Sequence, residues 1–276
     1  MSNPKQVRVI LWTTPRSLST AFLKSVSTFQ NAEIFQEPFV SAGLFGPDRN
    51  KQSTTDEMNT FLENAEGMEE YTYDGVKAML EMEYHDKHLI FSKDGGQFMH
   101  GHFDKIPLGY KHVFLTRRPS KVLMSIDRML TASNTLAKHG SCRSTLPGTP
   151  HRQLFELMEY VRDIRHQDPL IIDGDDLQMK PQLVMRAFCD FVGLSYSDKM
   201  MTWESGPDSR WRISNVKKLT NEIIGLAHKK AFNSTGFDAR IPEQEPSLEE
   251  MDEKTRTRVV EAQPYYEKLM EMKLKI

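Results

Sequence analysis

Val7-Arg8-Val9-Ile10-Leu11-Trp12, followed by Thr13-Thr14-Pro15-Arg16-Ser17-Leu18-Ser19-Thr20, is the stretch on which the fold turns. The first six residues are mostly apolar and β-branched, and short enough for a buried parallel strand. After them Leu18, Phe22, Ser25, Val26 and Phe29 recur at helical spacing. The polar segment therefore joins a strand to a helix. At such a junction the first backbone N–H groups of the helix have no intrahelical partner and carry the positive end of the dipole, which favours an anion. Arg16, Ser17, Ser19 and Thr20 add side-chain donors to that nest. A capped helix start that binds nothing uses the same residue types, so the loop alone leaves both readings open.

Strand-like and helix-like stretches alternate along the rest of the chain. Ala32-Glu33-Ile34-Phe35, His88-Leu89-Ile90-Phe91-Ser92, His112-Val113-Phe114-Leu115-Thr116 and Leu170-Ile171-Ile172-Asp173 read as further buried strands. Helical periodicity covers 53–83, with breaks expected at Gly67 and Gly75. It returns after Pro119, where Val122, Ile126, Met129 and Leu130 form a stripe, and again over 151–166 and 181–192. A loop is expected from Glu37 through Pro38 and Phe39 to Asp48, and the segment from Ala132 to Pro150 has the composition of a long flap. Leu248 to Leu274 is a charged helical pattern, expected to be kinked or interrupted at Pro264. The alternation predicts an α/β protein: a three-layer P-loop-NTPase-like fold with a mainly parallel central sheet flanked by helices and ligands at the carboxyl ends of its strands. With 276 residues and no linker-like tract, 1–276 reads as a single domain.

Composition narrows the function classes. A formal net charge of −2 and a pI of about 6.5 argue against nucleic acid as a partner. A polyanionic ligand then needs a local cluster of cations, and Arg16, Arg117, Arg118 and Lys121 supply one at the motifs. No run approaches the length of a membrane span, and Met1 to Gln6 lack a signal-peptide core, so a soluble cytoplasmic protein with no membrane partner is expected. Cys142 and Cys189 fit free thiols, and no Cys/His spacing suggests a metal site.

The loop also lacks the glycines of G-x-x-x-x-G-K-[ST]. Pro15-Arg16-Ser17-Leu18-Ser19-Thr20 instead resembles the sulfotransferase loop Pro-Lys/Arg-Ser-Gly-Thr/Ser-Thr, which holds the 5′-phosphosulfate of 3′-phosphoadenylyl sulfate (PAPS). A second motif adds to the resemblance: sulfotransferases place Arg-x-Pro after a central strand with a serine eight positions beyond the arginine, and Arg117 and Ser125 have that separation. Leu170 to Leu177 and Phe188 to Leu194 are similar to the family's late strand, its Tyr-Glu-Asp-Leu turn and the following helix. The resemblance implies that Arg16, Ser17, Leu18, Ser19 and Thr20 line the 5′ cradle and that Arg117 and Ser125 hold the 3′-phosphate. Leu18 stands at the usual glycine, while Ala21 and Gly174 stand where many members carry aromatic residues that touch adenine. Trp211, in a basic stretch with Lys217, Lys218 and His228, is a candidate replacement stack; a solvated helix face with an anchoring tryptophan is the slightly favoured alternative.

On that resemblance the chain moves a sulfuryl group from PAPS to a hydroxyl or amine of a small-molecule acceptor, with no metal required. The family's histidine two positions after a strand-end lysine is missing, because Lys93 is followed by Gly95 at that place. Glu37, in a Glu-Pro-Phe turn, is the expected base, with burial beside Phe35 or Phe39 raising its pKa. A structural Glu37 paired with a cation is the competing reading, and His100 and His102 are rival bases. Lys93 is expected to steady the transferred group. A P-loop small-molecule kinase and a noncatalytic nucleotide-binding domain remain the alternatives. Acceptor identity and oligomeric state are not encoded in these motifs.

Overall fold

β1 (Val7–Thr13) runs through the middle of the molecule and is buried from Val9 onward. The computed structural model describes residues 6–49, 70–132, 149–213, 225–239 and 244–276. Around β1 stand β2 (Ala32–Gln36), β3 (Leu89–Gly95), β4 (Lys111–Thr116), β5 (Leu170–Asp173) and β6 (Trp211–Ile213). They form one sheet in the order β5-β4-β1-β3-β2-β6, and every pairing is parallel. The register sets Thr13 opposite both Gly95 and Leu115, and Thr116 opposite Asp173, so the carboxyl ends of four strands finish level with one another.

Alternation along β1 divides the core into two layers, as the two-residue period of a strand requires. Val9 and Leu11 face α1 (Ser19–Val26) and α7 (Pro181–Val192), packing with Phe22, Leu23, Phe188 and Val192. Ile10 and Trp12 face the other way. They meet Phe39 of α2 (Pro38–Phe45), Leu154 and Met158 of α5 (Pro150–Glu159), and Leu269 of α9 (Glu253–Glu271). Both faces are therefore dry, which explains the near-continuous apolar runs of the strands. α3 (Tyr73–Glu81), α4 (Pro119–Ala132), α6 (Gly174–Met179) and α8 (Gly225–Phe232) complete the regular helices used below.

The α/β expectation with a parallel sheet and flanking helices holds, but three local expectations do not. Pro38 opens a helix where a loop was expected: it takes the first helical position, and the amides of Phe39 and Val40 donate to the Asp94 carboxylate, each at 2.9 Å. Gly75 does not break a helix. It is the third residue of α3, its N–H donating to the capping Thr72 Oγ1 at 2.8 Å, and a Cβ there would come within 2.7 Å of the Glu70 carbonyl. The expected break at Gly67 lies outside the described residues, as does the flap after Ala132 up to residue 148. Pro264 leaves α9 continuous. Pro264 and Val260 both face solvent, so water can take the carbonyl that the missing proline N–H leaves open.

Candidate functional site

The sheet order creates a switch point: β1 pairs with β3 on one side and β4 on the other, so the connections leaving β1 and β4 run to opposite sides of the crevice at their carboxyl ends. Thr14 to Leu18 line that crevice. Thr14 N–H donates to Leu115 O at 3.2 Å, extending the β1–β4 register by one residue, and Ser17 Oγ donates to Thr14 O at 2.8 Å, closing the turn. Arg16 and Leu18 both adopt left-handed backbone, with φ of 61° and 69°. Leu18 thus has the conformation a glycine adopts most readily, and its side chain packs on the core beneath α1. No side chain caps α1, so its opening amides remain turned toward the crevice.

Arg16 and Arg117 come together. Arg16 Nε donates to Ser125 Oγ at 2.9 Å, and the Arg16 guanidinium has its pKa lowered, first by burial and then by the like charge of Arg117. The loop arginine therefore reaches Ser125, on the side expected for the 3′-phosphate. Arg117 is aimed by Asp175 and Gln178, to which its Nε and Nη2 donate at 3.0 and 2.9 Å. Asp175 also receives Lys121 at 2.8 Å and lies 3.5 Å from Arg118. Burial alone would push the Asp175 carboxyl up, but Lys121 and Arg117 outweigh it and hold the group below the ordinary aspartate range. The hydroxyl of Ser17, expected to face an anion, has its proton on the Thr14 carbonyl.

Gly174 has a steric reason. A Cβ at that position would lie 3.1 Å from Ser17 O, 3.2 Å from Thr116 O and 3.3 Å from Arg117 Cβ, so the end of β5 presses directly on the loop. Trp211 is not an exposed base-stacking ring: it is buried in β6 and its Nε1 donates to Ser27 Oγ at 2.7 Å. Lys217 and Lys218 lie outside the described residues.

A second cluster lies across β1. Glu37, also left-handed with φ 58°, caps α2 and forms an ion pair with Lys93, whose side chain is only 2 % exposed. Glu37 Oε2 lies 3.8 Å from His228 Nε2. The expectation that burial raises the Glu37 pKa is corrected here. Burial does act upward, but Lys93 and then His228 overcome it and hold the carboxyl well below the usual range. Next to it Asp94 is fully buried and pushed up to about 7 by that burial, against the pull of the Phe39, Val40 and Gly95 amides. A Cβ on Gly95, where the family's histidine would stand, would meet Phe98, Val40 and Gln97 at 3.1 to 3.2 Å. His100 pairs with Glu156 at 3.1 Å, and His102 stacks on Tyr73 at 3.8 Å between centroids. Sequence reasoning missed Asp175 and Gln178 as site residues and had His228 only as part of a basic stretch near Trp211; their side-chain types are visible in the sequence, but no local spacing ties them to the loop.

A six-stranded parallel sheet with a strand–loop–helix junction at its switch point matches a known fold. The sulfotransferase domain of the Synechococcus PCC 7002 olefin synthase superposes with a TM-score of 0.52 over 95 % of both chains, at 16 % identity. The fold is sulfotransferase-like. The sulfotransferase domain from the curacin biosynthetic pathway and the sulfotransferase from Alicyclobacillus acidocaldarius align with TM-scores of 0.43 at 14 % and 12 % identity. They cover 93 % and 84 % of this chain and 96 % of each of theirs. No protein-family model matches. Among curated proteins, branched-chain-amino-acid aminotransferase-like proteins 2 and 1 of Arabidopsis thaliana are 28 % and 23 % identical over 72 % and 81 % of this chain. The aligned stretch is only 33 % and 37 % of those proteins' length, so their names describe much longer molecules. Among the described residues no helix is long and apolar enough to cross a membrane, and no cluster of metal-ligating side chains forms.

Proposed function

We propose that this chain is a cytoplasmic sulfotransferase that moves the sulfuryl group of PAPS to a hydroxyl or amine of a small-molecule acceptor. The observation that carries the reading is the meeting of Arg16, Arg117 and Ser125 beside the uncapped start of α1. Two guanidinium groups brought together under burial repel each other, and an added anion relieves that repulsion, so the chemistry of this donor set fits a bisphosphorylated nucleotide. PAPS supplies a sulfuryl group on a phosphate leaving group, and the transfer makes one S–O or S–N bond as the S–O bond to phosphate breaks.

The protein's part is positioning and charge stabilisation. The α1 amides with Ser19 and Thr20 take the 5′-phosphate and the charge that grows on it, while Arg117, Ser125 and Arg16 grip the 3′-phosphate. Lys93 faces the incoming negative charge of the sulfuryl oxygens. Glu37 accepts the proton of the acceptor. In the resting pair it is ionised but a weak base. Drawing the Lys93 ammonium toward another anion removes the main influence that depresses its pKa, so its basicity appears when the site is loaded.

The test is titration with adenosine 3′,5′-bisphosphate followed by transfer of labelled sulfate from PAPS to a panel of small hydroxyl and amine compounds. Saturable binding that Arg117→Ala weakens by about tenfold or more, and transfer abolished by Arg16→Ala, are expected. Failure of the unmodified chain to bind the bisphosphate would end the reading.

A further inference from the structure

His228 reaches the site from α8, and its ring stands between the two clusters. Nδ1 is 2.7 Å from Thr20 Oγ1, and Nε2 is 3.3 Å from Gln36 Nε2 and 3.8 Å from Glu37 Oε2. The residue is 9 % exposed, and Phe232 flanks the ring at 5.5 Å between centroids. The contact between Nδ1 and Thr20 can run in either sense, and the two differ in what Thr20 offers an anion. With a proton on Nδ1 the ring donates to Thr20 Oγ1, which leaves the single hydroxyl proton of Thr20 directed away from the ring. With Nδ1 as the acceptor Thr20 commits that proton to His228 and turns only lone pairs toward an incoming anion.

We propose that His228 is a positioning residue of the donor site: its Nδ1–H holds the Thr20 hydroxyl so that Thr20 donates to the 5′-phosphate of the bound nucleotide. This rests on the donor reading above and assigns a role to a side chain that the loop motifs do not contain. The contact also locks α8 to the first turn of α1, which makes the nucleotide loop dependent on a segment 208 residues away in sequence.

The experiment compares adenosine 3′,5′-bisphosphate binding by calorimetry, with thermal melting alongside, for the intact chain and four variants. His228→Asn carries an amide N–H near the place of Nδ1–H, whereas His228→Gln carries its amide out toward Nε2. His228→Gln and Thr20→Val should each weaken binding about tenfold, His228→Asn should stay within about threefold of the unmodified chain, and the Thr20→Val/His228→Gln double variant should lose no more than either single. If the Gln variant does not fold, the pair His228→Asn and Thr20→Val decides, since the proposal requires the first to bind and the second to lose affinity. Equal losses for Asn and Gln that track melting temperature, or no loss in either, overturn the positioning role while the donor reading stands. An unmodified chain that does not bind the bisphosphate overturns both.

Discussion

Replacing Lys93 by methionine keeps the aliphatic stem of a side chain that is 2 % exposed and removes only its charge, leaving the Glu37 carboxylate, 21 % exposed, without its main partner. Breaking a buried pair from one side costs about 3–5 kcal/mol when both groups are fully enclosed. Because Glu37 retains some contact with solvent, the lower end, about 3 kcal/mol at pH 7, is expected. That is equivalent to a drop in Tm of about 6 °C for a chain of this size.

The pH dependence carries a definite sign. With Lys93 present the folded carboxyl has a depressed pKa, so its stabilisation is present above the unfolded value of about 4.3 and fades as pH falls through and below it. In the Lys93→Met variant burial acts without that opposing charge and lifts the folded pKa. The penalty is then largest above that folded value and is relieved as pH falls below about 4.3. Both effects narrow the gap between the two proteins on acidification, but the depressed carboxyl of the unmodified pair is still ionised at pH 4, so the gap falls only from about 3 kcal/mol at pH 7 to about 2 kcal/mol near pH 4 and closes at lower pH. Urea unfolding from pH 4 to 8 measures this gap, with Lys93→Met/Glu37→Gln expected to recover to within about 1 kcal/mol of the unmodified chain. A gap that does not change with pH, or a double variant no better than the single, would refute the ion-pair account.

Two further substitutions probe the loop. Leu18→Gly relieves a left-handed leucine, worth about 1–2 kcal/mol, but gives up partial side-chain burial and loosens the unfolded chain, so stability by urea melting should change by less than about 1 kcal/mol. A loss above about 3 kcal/mol would show that Leu18 is chiefly a packing residue. Gly174→Ala forces a methyl against Ser17 O and Thr116 O, and should cost about 2 kcal/mol while weakening bisphosphate binding, because the displaced atoms belong to the loop. A neutral result in both assays would mean that the loop yields without consequence.

What could be read in the residues follows from the range over which the interactions act. β1 to β5, α7 and the strand–loop–helix start of α1 come from periodicity and turn chemistry within a few neighbouring residues, so Val7 to Val26 was legible, whereas the three-residue β6 was too short to show a period. The link between Arg16 and Ser125 could be anticipated only through resemblance, since it spans 109 residues. The Glu37 pKa was misjudged because burial is visible in an apolar neighbourhood, whereas the opposing cation arrives from β3, 56 residues on. α2 was hidden for a similar reason: Pro38 reads locally as a breaker, and the Asp94 carboxylate that satisfies its first amides comes from another strand. Trp211 was legible as an anchor or a stacking ring, and the hydrogen bond to Ser27 decides between them.

The position of β1 in the sheet divides responsibilities between two groups of side chains. Arg16, Ser125, Arg117 and Asp175 come from β1, β4, β5 and the segments that leave them, whereas Glu37, Lys93 and Asp94 come from β2 and β3 on the far side. Each group has its own counter-charge, with Asp175 facing cations on one side and Lys93 facing a carboxylate on the other. Substitutions made in the strands on one side can therefore be retuned without unbalancing the other, and pairs of changes drawn from opposite sides should combine additively. Thr20 and His228 are the seam between them, where changes on the two sides would begin to interfere.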